Sequence, residues 1–297
     1  MQPITRRGFF GLAAGAAAFA ACSRSGPGAT PTATPLNHSL VLATVEIAVG
    51  DERVAFAVFD GQRPIVPGDV RFMLTPPAGE PVEVEPRRVE IERGLGGEEA
   101  GGDSYELLVV NNEFQTPGHW FAEARFQHGG RERTVSSVLE VKGDSTTPRV
   151  GEPALRTESP TTSDPRGVDP ICTRKPVCSM HDMTIAQAVG SGKPSVLAFA
   201  TPRFCASQTC GPAVDIIESG KQLVGDAASF VHIEIYPSLD IQPGRSPTTE
   251  AVREWGLPGE PWVVFVDAQG VVRARWSGAV GEDEFHDGVQ ALVAGTL

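Results

Sequence analysis

The apolar residues of this chain change period once, and that change limits what the chain can fold into. From His38 to Lys142 they fall on alternate positions. "RVAFAVFD" sets Val54, Phe56 and Val58 on one side, "DVRFMLTP" sets Val70, Phe72 and Leu74, and "HWFAEARF" sets Trp120, Ala122, Ala124 and Phe126. Alternation places such residues on one face of a strand. "SYELLVV" and "TVSSVLEV" continue the pattern, and "HGG" at His128–Gly130 turns the chain between strands. Period-2 runs separated by Gly/Pro turns at about ten-residue spacing predict an all-β sandwich.

Past Pro170 the pattern becomes mixed. "DMTIAQAVGSG" predicts a short helix entered from Asp182 or Thr184, and "SVLAFA" a buried strand. "GPAVDIIESGKQLVG" predicts a helix with Val214, Ile217 and Leu223 on one side, followed by a strand in "FVHIEIYP". "SPTTEAVREWG" predicts a helix starting at Ser246, with Pro247 suited to its first turn. "WVVFVDAQGVVRARWSG" reads as a hairpin and "EDEFHDGVQALVAG" as a closing amphipathic helix. The sum is an α/β unit with a central mixed sheet. Between the two patterns, Gly143 to Pro170 is rich in Pro, Ser, Thr and charge and reads as a linker. The expected organisation is therefore a β-sandwich over 38–142, a linker over 143–170 and an α/β domain over 171–297.

The first 37 residues carry no fold signal. Residues 1–22 have the shape of an export signal: Arg6 and Arg7, then an apolar stretch from Phe9 to Ala21 too short to span a bilayer comfortably. "RRGFF" resembles the core of bacterial twin-arginine signals, and "FAAC" resembles a lipoprotein box, which implies lipidation of Cys22. Residues 23–37, "SRSGPGATPTATPLN", read as a flexible tether. The expectation is an extracytoplasmic protein anchored to the cell membrane by an N-terminal lipid. A net charge of −12 with no basic block excludes nucleic acid as a partner.

"TPGHWFAEARF" resembles the penultimate strand of immunoglobulin-like domains, without the cysteine pair between the sheets. That resemblance is architectural and implies no activity. His119 and His128 read as strand-end and turn residues rather than metal ligands.

An exported protein sits where disulfides persist. Apart from Cys22, the cysteines are Cys172, Cys178, Cys205 and Cys210, all in the C-terminal half. Four cysteines allow three pairings, and the two local pairs are the simplest: Cys172–Cys178 in "CTRKPVC" and Cys205–Cys210 in "CASQTC". Residues five apart in a helix have Cα atoms roughly 8–9 Å apart, outside disulfide range, so a bonded Cys205–Cys210 pair needs a loop before the helix. Pro212 suits that loop-to-helix transition.

The element order, with a cysteine pair after the first long strand, resembles the thioredoxin fold over roughly Met180 to Leu297. "VLAFATPRFC" is similar to the strand that runs into the family's nucleophilic cysteine, here Cys205. "WGLPGEPWVVFVDAQG" is similar to the segment carrying its cis-proline, here Pro261. The closing hairpin and helix match as well. The resemblance implies thiol–disulfide exchange on exported proteins, with Cys205 attacking, Cys210 resolving and Pro261 shaping access. That chemistry calls for no cofactor. The sequence departs from the family in spacing, C-x-x-x-x-C for C-x-x-C, and at Ala198, which stands where the family carries a buried acid.

Other readings stay open. The Cys205–Cys210 bond can be a permanent staple in a non-catalytic interaction module. A zinc site from all four thiolates lacks the tight C-x-x-C spacing of zinc knuckles, so no metal is assigned. Copper handling, as in copper-chaperone relatives of thioredoxin, would need a histidine near a cysteine pair. His181 lies beside Cys178 in sequence, and His232 lies within a strand.

Overall fold

A computed structural model describes residues 38–91, 105–203, 210–241 and 246–297. Arg6, Arg7, Cys22, the tether and Cys205 lie outside the described residues, as does the side chain of Cys210. Among the described residues no helix is long and apolar enough to cross a membrane.

The N-terminal strands are β1 (His38–Leu42), β2 (Ile47–Ala48), β3 (Gly50–Asp60), β4 (Arg63–Ile65), β5 (Val70–Thr75), β6 (Val82–Val84), β7 (Arg87–Ile91), β8 (Tyr105–Phe114), β9 (Gly118–His128) and β10 (Arg131–Lys142). One sheet runs β1-β3-β8-β7, with β4 also on β3, and the other runs β2-β10-β9-β5-β6. The pairings are antiparallel except β2 with β10. The alternating residues meet between the sheets, where Val54, Phe56 and Val58 pack with Phe72, Leu74, Trp120, Ala122, Ala124 and Phe126. Phe56 and Phe72 touch across the gap, ring centroids 5.0 Å apart.

The C-terminal elements are α1 (Ile185–Val189), β11 (Ser195–Phe199), α2 (Cys210–Val224), β12 (Ser229–Ile233), α3 (Glu250–Glu254), β13 (Trp262–Val266), β14 (Val272–Ser277) and α4 (Glu282–Ala294). Their sheet is ordered β12-β11-β13-β14. β11 and β12 are parallel and the other neighbours antiparallel. Helices cover both faces, so the strands are apolar throughout rather than alternating. Val196 and Ala198 of β11 face α2 and α4, while Leu197 and Phe199 face α1 and α3. α1 opens on Thr184, whose side chain accepts from the Gln187 N–H while Gln187 reciprocates, a complete capping box.

Three expectations need correction. α3 begins after Thr249 rather than at Ser246, because Thr249 is pinned to the chain leaving β12: its N–H donates to the Ile235 carbonyl and its hydroxyl to that of Glu234. On α2, Ala213, Val214, Ile216, Ile217 and Gly220 form the buried face, whereas Leu223 is exposed. A side chain at Gly220 would overlap the Phe285 ring, so the glycine lets α4 approach.

The third concerns residues 143–170, which are bound to the α/β unit along their length. Gly151 and Ala154 donate to the carbonyls of Val272 and Gly270, and Val272 donates back to Glu152. Further on, Ala186 donates to Thr157, Thr162 to His181 and Asp169 to Pro237. Backbone bonds need no apolar side chains, so a segment of linker composition can still be fixed.

The two halves also meet directly, within a single compact unit spanning 37–297. Ala55, Ala57, Val89, Ile91, Leu107 and Val109 line the outer face of the first sheet and are buried with Ala279. β3 is therefore covered on both faces. Close approach needs Gly278, at φ 83, where a Cβ would strike the Ala43 carbonyl. Arg53 crosses this joint to form a two-pronged pair with Glu284 of α4, at 2.6 and 2.7 Å. Arg275 of β14 reaches the other way to Glu52 and to Ser145. Each guanidinium lies over an indole, Arg53 on Trp276 and Arg275 on Trp262.

Candidate functional site

The chemistry-bearing side chains collect where β11 and β12 end. Open α/β sheets commonly bind ligands beyond the carboxyl ends of their strands. α2 begins at Cys210 on the chain leaving β11. Thr201 and Arg203 lie on the described chain leaving β11. The Thr201 N–H donates to the Glu260 carboxylate at 2.7 Å, and the Arg203 N–H donates to the Thr173 hydroxyl at 3.2 Å.

Glu260 precedes Pro261, and the bond between them is cis, as the sequence implied. Its carboxyl is pushed up to about 7, chiefly by burial and further by nearby Glu234, against the pull of the Thr201 N–H and His232. Burial likewise raises Glu234, although Thr173 donates to it through both its N–H and its hydroxyl. Sequence reasoning noted the missing acid at Ala198 but did not single out these two. The signal available was an acid directly before the proline in "GEPW".

Cys172 and Cys178 differ from expectation. Their sulfurs stand 3.8 Å apart as free thiols, whereas a disulfide holds them at about 2.05 Å. Two imidazoles converge on the same point. His181 Nε2 lies 3.1 Å from the Cys178 sulfur, and His232 Nδ1 lies 3.3 Å from Cys178 and 3.8 Å from Cys172. The four donor atoms all lie within 4.8 Å of one another, and all four residues are buried.

Two parts of the chain build this cluster. Cys172, Cys178 and His181 come from the irregular segment before α1, and His232 comes from β12. The His232 N–H donates to the Met180 carbonyl, which holds segment and strand together. On the ring, Nε2 meets the Ala200 carbonyl at 2.9 Å. That contact makes Nε2 the protonated nitrogen and turns the Nδ1 lone pair toward the sulfurs.

The pair of thiols does not titrate evenly. Cys172 is drawn far below the usual thiol range by its bond with Cys178, with His181 and His232 adding to the effect against burial. The same bond and burial push Cys178 up. Burial works to lower the basicity of His232, but its bond to Cys172 and the charge on Glu234 outweigh that and raise it.

A second, less buried grouping lies on the sandwich, where His38, Asp60 and His128 come together. His128 ends β9 half-buried, with its ring edge-on to His38 at 5.2 Å, while His119 is exposed.

No family model matches the sequence, and no curated protein matches it. Four solved chains do. One is a thiol:disulfide interchange protein of the thioredoxin family from Chlorobium tepidum TLS, 19% identical, covering 36% of this chain and 84% of its own, with a TM-score of 0.30. Another is the PKD domain of the human VPS10 domain-containing receptor SorCS2, 12% identical, covering 45% of this chain and 98% of its own, with a TM-score of 0.21.

Proposed function

We propose that this chain is a membrane-tethered, extracytoplasmic thiol–disulfide oxidoreductase of thioredoxin-like architecture, acting on exported proteins through Cys205 and Cys210. The observation that carries the reading is the position of Cys210 at the first residue of a fifteen-residue helix that follows β11, one of the two inner strands of the sheet. Unpaired N–H groups at a helix start favour a nearby thiolate.

In the reducing direction the Cys205 thiolate attacks one sulfur of a client disulfide. The client S–S bond breaks, and the departing client thiolate takes a proton. The Cys210 thiolate then attacks Cys205, releasing the second client thiol and leaving Cys205–Cys210 oxidised. Two electrons have passed to the client, and the reverse sequence oxidises it. Glu260, whose carboxyl is pushed up to about 7 beside Thr201, is suited to give and take the protons.

Lipidated Cys22, exported behind Arg6 and Arg7, holds the protein at the membrane. Mass spectrometry of the membrane fraction should find a diacylglycerol-modified Cys22, and Cys22→Ala should release the protein.

The activity is tested by equilibrating the full chain in dithiothreitol buffers and mapping alkylated peptides. A working couple opens in the folded protein at a potential above about −300 mV, Cys205 alkylates faster than Cys210, and Cys205→Ser abolishes reduction of a disulfide-bonded substrate. A pair that opens only on unfolding is a staple, and the enzyme reading fails.

A further inference from the structure

The buried thiol–imidazole cluster plays no part in that exchange reaction, and its geometry is specific. A tetrahedral zinc ion with Zn–S of about 2.3 Å and Zn–N of about 2.0–2.1 Å holds its two sulfurs about 3.8 Å apart and each sulfur about 3.5 Å from each nitrogen. Here the sulfurs are 3.8 Å apart. Three of the four sulfur–nitrogen separations are 3.1, 3.3 and 3.8 Å, values that straddle the tetrahedral edge, and the fourth, Cys172 to His181, is within 4.8 Å. We propose that Cys172, Cys178, His181 and His232 bind one zinc ion in a closed four-coordinate site.

One further observation supports the assignment. The Ala200 carbonyl accepts from His232 Nε2 at 2.9 Å, the outer contact that fixes the tautomer of a ligating histidine. The His181 ring reaches Cys178 through Nε2, and its Nδ1 is buried without a protein partner.

Charge and ion type agree. Two thiolates and two neutral imidazoles carry −2, which one Zn2+ neutralises in a pocket that water does not reach. Two nitrogens and two sulfurs in tetrahedral array suit zinc, whereas copper(I) favours softer sulfur-rich sets. All four positions are protein-filled, as in structural rather than catalytic zinc centres. The ion would pin the irregular stretch from Cys172 to His181 against β12.

The test uses the reduced full chain, loaded with zinc, freed of loose metal and measured by elemental analysis. One zinc per chain is expected, and cobalt(II) in its place should give the visible bands of a tetrahedral sulfur–nitrogen site. Cys172→Ser and His181→Gln should each weaken zinc binding at least about 100-fold, with helical content checked by circular dichroism. Cys205→Ser/Cys210→Ser should keep its zinc, which separates this site from the exchange couple. In the folded wild type, chelation should expose two additional thiols to alkylation, and that readout stands even if a variant misfolds. Failure of the reduced protein to take up zinc overturns the proposal. So does zinc that persists in Cys172→Ser or disappears with Cys205 and Cys210. Copper(I) that zinc cannot displace from these four ligands overturns the choice of ion.

Discussion

Two buried polar centres in this molecule are equally dry and chemically opposite. At the joint between the halves, Arg53 and Glu284 are 3% and 4% exposed; at the edge of the α/β sheet, Cys172 and His232 are 4% and 1% exposed. The joint is built from guanidinium and carboxylate groups that answer each other, and the two arginines are each backed by an indole. The edge is built from two thiols, two imidazoles and two acids whose ionisation burial opposes, residue types that can exchange a proton or ligate a metal. Burial alone therefore does not separate the two centres; the capacity to exchange a proton or take a cation does.

The largest effect should come from breaking the joint. Arg53→Met leaves Glu284 buried and unpaired and is expected to cost about 3–5 kcal/mol of unfolding free energy in urea titrations. Arg53→Met/Glu284→Leu should recover most of that loss. A single variant that costs under about 1 kcal/mol would show the joint to be no more than a surface pair.

The edge should respond to pH instead. Glu260 holds its proton more tightly folded, about 7, than at its ordinary 4.5. Ionising it therefore destabilises the fold: the loss is negligible below pH 4.5, builds between pH 4.5 and 7, and levels off above 7 at up to about 3 kcal/mol. Glu260→Gln should remove that decline, seen by comparing denaturation of both proteins at pH 5 and pH 8. Parallel slopes would mean that the acid is solvated in solution.

A smaller effect tests the frame around the edge. Thr184→Ala removes the capping box of α1 and should cost about 1 kcal/mol, measured as a shifted midpoint. The smallest should come from the exposed pair Arg71–Glu83. Arg71→Ala should leave the midpoint where it is, since solvent screens such contacts.

The sequence discloses these regions unequally. Alternation exposes the sandwich because its inner face is a matter of side-chain hydrophobicity, and Val54, Phe56 and Val58 follow it. The outer face of β3 escapes notice, because Ala55 and Ala57 are too small to announce a second buried surface. The joint is harder still: Glu52 and Arg53 sit in "GDERV", which looks like a solvated strand start, and Glu284 lies 231 residues from Arg53. The role of 143–170 rests on backbone hydrogen bonds, which composition does not encode. At the edge, "CTRKPVCSMH" shows three of the four clustered donors within ten residues. The fourth, His232, sits among Phe230, Val231 and Ile233 in a buried strand, and only the parallel pairing of β11 with β12 brings it under Ala200.

The doubly covered β3 also bears on how such a chain can be inherited. A sandwich with one apolar face can be borrowed by another protein whole, since what it leaves behind is solvent. This one would leave with Ala55, Ala57, Leu107 and Val109 bare and with Glu52 and Arg53 stripped of their counterions. The α/β half would meanwhile keep two stranded charges of its own. Recombination at the apparent boundary thus produces two poor proteins from one good one. Changes on one side of the seam survive when the other side changes to suit, so the halves should drift together as a single heritable unit.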